Sequence, residues 1–107
     1  MTAAVLIYVT APNRDEALRI GREIVTGRLA ACANVLPAMT SIYQWEGEIR
    51  EDSEAVLILK TRRDLSEPVI ARIRSLHPYE TPAILVLPVQ AGNPAFLEWI
   101  QDETRVT

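Results

Sequence analysis

Residues 39–60, MTSIYQWEGEIREDSEAVLILK, decide the fold. Two extended runs flank Glu46-Gly47, a pair that reads as a turn. Before the turn, Ser41, Tyr43 and Trp45 recur at period two and share one face, while Ile42 and Gln44 take the other. After it, Glu48 to Arg50 leads back, and Ala55 to Lys60 (AVLILK) reads as a strand. The spacing predicts a long antiparallel hairpin that outruns its own core.

Working outward, Leu29 to Pro37 (LAACANVLP) begins the strand that Met39 to Trp45 resumes. A helix precedes it. Asn13 stands where a cap belongs, with Glu16 three residues on, and Gly27 is a suitable stop. Ala17, Leu18, Gly21, Ile24 and Val25 recur on its apolar side, and Gly21 implies close packing against the sheet. Before that helix, Ala3 to Val9 (AAVLIYV) is short and apolar, a covered strand stopped by Pro12-Asn13.

Downstream, Asp64 to Leu76 predicts a second helix with Leu65, Val69, Ile73 and Leu76 on one stripe. Pro68 suits its first turn, which makes Ser66 the expected cap. His77 to Pro82 (HPYETP) is a loop, Ala83 to Val89 a strand, and Asn93-Pro94 caps a final helix with Phe96, Leu97 and Ile100 inward. The order β-α-β-β-α-β plus a helix predicts an α+β, ferredoxin-like antiparallel sheet with both main helices on one face. Residues 1–107 fit one domain of ordinary size.

Composition narrows the function classes. With 11 Lys+Arg against 14 Asp+Glu and no block of like charge, nothing in the chain favours nucleic acid or anionic lipid. The longest apolar runs are strand-length, too short for a membrane span, and the amino terminus lacks a signal-like pattern. Cys32 is the only cysteine, so no intrachain disulfide forms and a cytoplasmic setting is expected.

Candidate chemistry lies in two places. Cys32 is either a soft ligand for a thiophilic ion or a small buried hydrophobe. His77, the only histidine, stands three residues before Glu80, as ligands of a borderline metal or as a cap on the preceding helix. Two donors alone do not complete a zinc site. Lys60 and Thr61, near a strand end, offer an anion contact, and Tyr43 and Trp45 offer a platform for a ligand or a partner chain. No phosphate loop, G-x-S-x-G, H-E-x-x-H or C-x-x-C occurs, so nothing argues for an enzyme.

These residues form a recognisable pattern. Arg28-Leu29-Ala30-Ala31-Cys32-Ala33-Asn34-Val35, then Ser41-Ile42-Tyr43-Gln44-Trp45-Glu46-Gly47-Glu48-Ile49, resemble the first half of a CutA protein. Lys60-Thr61, His77-Pro78-Tyr79-Glu80-Thr81-Pro82 and Leu97-Glu98-Trp99-Ile100 resemble the second half. The resemblance spans about positions 5 to 100, with Ala33, Arg62 and Phe96 departing from the family's usual larger aliphatic, threonine and tyrosine. It implies a homotrimer with hairpin strands paired between subunits, and a part in tolerance of divalent cations, copper above all. Carried over residue by residue, it makes Cys32, His77 and Glu80 the metal candidates. The family's trimer is also similar to that of PII-type signalling proteins, which implies a second reading: a small effector between subunits near Lys60 and Tyr79. A third is a non-catalytic trimer that recruits another protein. Independently of the resemblance, a protruding hairpin carrying Ile42, Tyr43, Trp45 and Ile49 calls for a covering chain, with Tyr43 and Trp45 at the interface.

Overall fold

The hairpin is continuous from end to end. In the computed structural model, which describes residues 3–105, β2 (Cys32–Trp45) and β3 (Glu48–Arg62) pair antiparallel from Cys32 opposite Lys60 to Trp45 opposite Glu48. Glu46 and Gly47 both take positive φ, 51° and 80°, the pattern of a two-residue type I′ turn whose twist matches the strands it joins. A bulge between Leu36 and Met39 sits at Pro37, which has no N–H to give the ladder. The expected interruption at Pro37 is therefore a kink within one strand.

Four strands form the sheet in the order β2-β3-β1-β4, with β1 (Ala4–Ala11) central and β4 (Ile84–Pro88) at the edge. Both neighbours of β1 run antiparallel to it. This is the ferredoxin-like α+β arrangement expected from the element order. Val5, Ile7 and Val9 of β1, with Ala55, Leu57 and Leu59 of β3, are buried and face α1 (Arg14–Thr26) and α2 (Ser66–Leu76). The other side of the sheet has no main helix. The longest dimension is 46 Å, and the radius of gyration of 14.4 Å exceeds the ~13 Å of a compact chain this size, as a protruding hairpin requires.

Asn13 caps α1 by accepting the Glu16 N–H at 2.9 Å. The helix ends in a Schellman pair, with Leu29 N–H on the Ile24 carbonyl and Arg28 N–H on that of Val25. Gly27 is the cap residue, but Arg28 takes the left-handed conformation at φ 60°. That turn delays β2, which starts at Cys32 and not at Leu29. Gly21 is needed for packing: a Cβ there would stand 3.1 Å from Leu57 Cδ1 and 3.2 Å from Ala33 Cβ.

Two local expectations are corrected. Ser66 is not the cap of α2 but its first residue. A 3-10 turn at Arg63–Leu65 feeds directly into the helix, so Leu65 occupies the cap position and makes no side-chain bond there. In α3 (Pro94–Glu103), Asn93 caps as expected and Ile100 is buried, but Phe96 is exposed rather than inward. It stacks on Trp99 with Lys60 Nζ 5.3 Å from its ring centre.

Candidate functional site

The register decides which side chains share the face away from α1 and α2. Lys60 lies between buried Leu59 and Thr61, which point to the helices, so Lys60 faces away from them. Cys32 is its cross-strand partner and shares that face. By the same alternation Leu36 opposite Val56, Tyr43 opposite Arg50, and Leu85 and Leu87 opposite Tyr8 and Leu6 all belong to it. Beside these charged groups the face carries large apolar side chains left uncovered within the chain: Leu36 is 51% exposed, Trp45 52%, Leu85 59% and Leu87 45%. An antiparallel sheet that met water on one side would carry polar residues there.

Along the protruding arm of the hairpin this face folds into a cleft of about 670 Å³, between β2, β3 and the loop that follows α2. Tyr43, Trp45, Tyr79 and Glu80 all line it, together with Arg50 and Glu54. Two phenols are tied to carboxylates: Tyr79 donates to Glu54 at 2.9 Å and Tyr43 to Asp52. Partial burial and then the Glu54 bond push the Tyr79 hydroxyl up to about 12. Tyr43 is likewise raised, first by its bond to Asp52. Each phenol holds its proton because losing it would set an anion beside an anion.

His77 supports this cleft from behind and does not line it. It is 8% exposed, and its Nε2 lies 2.7 Å from the Thr10 carbonyl, to which it must donate. Nδ1 then accepts the Tyr79 N–H at 3.1 Å, and the two rings sit 4.8 Å apart. Both ring nitrogens are engaged, one by each neighbour, so the ring pins the loop to the end of β1. Its backbone N–H also closes α2 on the Ile73 carbonyl, whereas the ring turns away from that helix end.

The sequence candidates thus fall into separate groups. Tyr43, Trp45, Tyr79 and Glu80 meet at the cleft, and His77 holds its floor. Lys60 does not join them: it stands six residues along β3 from Glu54, roughly 20 Å at strand rise, beside Phe96. Cys32 is at that same far end, half-buried, opposite the Lys60 ammonium. Among the described residues no three of His, Cys, Asp and Glu come together as a metal-holding group. The donors of one copy therefore do not assemble a site by themselves. Sequence reading missed Arg50, Asp52 and Glu54, although the Glu46-Gly47 turn fixes the register that sets Arg50 opposite Tyr43 and Asp52 opposite Ser41. What could not be foreseen is the return of the 77–82 loop to Glu54. No helix among the described residues is long and apolar enough to cross a membrane.

Comparison with known proteins gives one answer. The family model described as CutA1 divalent ion tolerance protein matches residues 5–103. The divalent-cation tolerance protein CutA of Thermus thermophilus is 39% identical over 92% of this chain and 96% of its own length. A chloroplastic protein CutA of Arabidopsis thaliana is 40% identical over 95% of this chain, which spans only 56% of that relative. Among solved structures, the divalent ion tolerance protein CutA1 from Ehrlichia chaffeensis superposes with a TM-score of 0.94 at 38% identity, covering 99% of each chain.

Proposed function

Because this chain belongs to the CutA1 divalent ion tolerance family, we propose that it works as a homotrimer in the response to divalent metal ions, binding copper or a similar ion without catalysis. The observation that carries the assembly is the uncovered apolar surface of this face: Leu36, Leu85 and Leu87 stand exposed on the body of the sheet and Trp45 near the hairpin turn, on the side away from α1 and α2. Full burial of one such leucine is worth about 1.5–3 kcal/mol, and contiguous patches of this kind mark interaction surfaces. Both sheet edges, β2 and β4, also carry unpaired backbone groups that a second copy can satisfy. Closed rotational symmetry covers every copy at once, and the number three comes from the family resemblance.

Metal binding in this reading draws on more than one copy. Cys32 shares the face that assembly covers, so thiols from different copies, and not a cluster within one, supply the soft donors. A lone thiol without an intrachain partner suits the reducing cytoplasm. The test is a Cu(I) titration of the assembled protein and of Cys32→Ser. The variant loses at least tenfold in Cu(I) affinity while its assembly is unchanged. Superimposable titrations would remove Cys32 from the metal role.

The cleft favours a second reading, a small organic effector held near the subunit boundary. An aromatic-lined concavity with a few placed charges is the usual form of a ligand site. Tyr79 rather than Lys60 supports it, since Lys60 is remote from the cleft.

A further inference from the structure

We propose that α3 is a strap: it lifts from the sheet separately from the main core, and a two-arginine clamp at its C-terminal end holds it down. Arg28, just past the end of α1, donates to the carbonyls of Glu103 and Arg105, each at 3.3 Å. Arg62, at the end of β3, donates to the Thr104 carbonyl at 3.4 Å. Carbonyls at this end of a helix lack partners within it and sit at the negative end of its dipole. α3 has no basic residue in its own last turn, so the positive charge comes from two other elements. The backbone at Arg28 supports the assignment. Gly27 stands beside it, yet the left-handed conformation that favours glycine falls on Arg28, at φ 60°. A non-glycine residue kept in that conformation points to a task for its side chain, and the guanidinium on α3 is that task.

Elsewhere the helix is lightly tied. Its buried residues are Ile100 and Gln101, and Ile100 lies outside the core cluster drawn mainly from β1, β3, α1 and α2. α3 is on the other side of the sheet, where Phe96 meets the Lys60 ammonium. Its ends are closed locally: Asn93 accepts the Ala95 N–H, and the Thr104 hydroxyl donates back to the Ile100 carbonyl at 2.8 Å. Gln90 to Asn93, just before it, are exposed and form neither helix nor strand, which supplies a hinge. The clamp itself is loose. Its three bonds are longer than the ordinary N–H···O range, and Arg62 Nε is buried without a partner while the clamp is closed. Units with few buried apolar contacts open locally, at less cost than the whole fold. When α3 lifts, Lys60 loses the Phe96 ring, and its ammonium stands free on the face that carries Cys32, its cross-strand partner.

Hydrogen exchange on the assembled full chain, read by mass spectrometry, tests the strap with any neighbouring copy in place. The α3 amides exchange at least about a hundredfold faster than those of β1 and β3. Arg28→Gly speeds α3 exchange by about a further tenfold, the effect of losing weak hydrogen bonds from a charged group. It leaves α1 and β1 unchanged, because glycine suits φ 60° and the variant removes only the guanidinium. Arg28→Lys keeps a cation near the same carbonyls and falls between the two. Protection of α3 equal to that of the sheet in the unaltered protein overturns the strap, whether its own contacts or a neighbouring copy hold it. Unchanged α3 exchange in Arg28→Gly overturns the clamp. Equal acceleration of α3 and β1 in that variant overturns independent lifting.

Discussion

Replacing His77 by alanine tests whether the ring's main task is to hold the cleft's loop. The change removes the bond to the Thr10 carbonyl at 2.7 Å and the bond from Tyr79 N–H at 3.1 Å. Each is worth about 1 kcal/mol net, rising to about 2 kcal/mol where the backbone group left behind is buried and unpaired. The ring is 8% exposed, so water does not simply take its place. The expected loss is therefore about 2–4 kcal/mol. With a urea slope of about 2 kcal/mol/M, that lowers the midpoint by roughly 1–2 M. The assay is circular dichroism against urea at one fixed protein concentration, because assembly makes apparent stability concentration-dependent. The loss appears equally with and without Cu(II). A fall of less than about 0.5 kcal/mol would refute the pinning role. A wild-type gain in stability with Cu(II) that His77→Ala lacks would return the ring to the list of ligands.

Two further outcomes follow from the geometry. Tyr79 is held at about 12 against an ordinary 10, so its stabilising contribution is present below pH 10 and lost as pH rises to about 12. Tyr79→Phe flattens alkaline unfolding in that window; an unchanged alkaline limb counts against the Glu54 pairing. At Gly21, valine forces carbon into Leu57 and Ala33, which already stand 3.1 and 3.2 Å from where a Cβ would sit, and costs about 1–3 kcal/mol. Thermal melts in which Gly21→Val equals the parent would show that α1 has room to move.

Patterns with a short period are legible in the sequence alone. Alternation through Ser41, Tyr43 and Trp45, the Glu46-Gly47 turn and the Asn13 cap each rest on neighbours in sequence, and the structure has all three. The tight approach at Gly21 is legible for the same reason: a glycine inside a helix weakens it unless a neighbour needs the space. Ser66 failed because capping depends on how the chain enters the helix, and a 3-10 turn at Arg63–Leu65 takes that place. Phe96 failed because helical spacing gives a face but not the depth of what lies across from it. The cleft is half legible. Tyr43 and Trp45 carry the period-two signal, whereas the Tyr79–Glu54 bond joins residues 25 apart through a loop whose path sequence alone does not fix. His77 stands out as the only histidine, yet its partner is a carbonyl 67 residues away, and backbone acceptors leave no mark in a sequence.

The proposed trimer is tested most directly by its mass in solution. Sedimentation equilibrium across the micromolar range gives three times the 12.0 kDa chain mass, and Leu85→Lys on the face away from α1 and α2 shifts the protein toward single chains. A concentration-independent 12.0 kDa species for the unaltered chain would contradict the account, since the exposed face of Leu36, Leu85 and Leu87 would then meet water in the working protein.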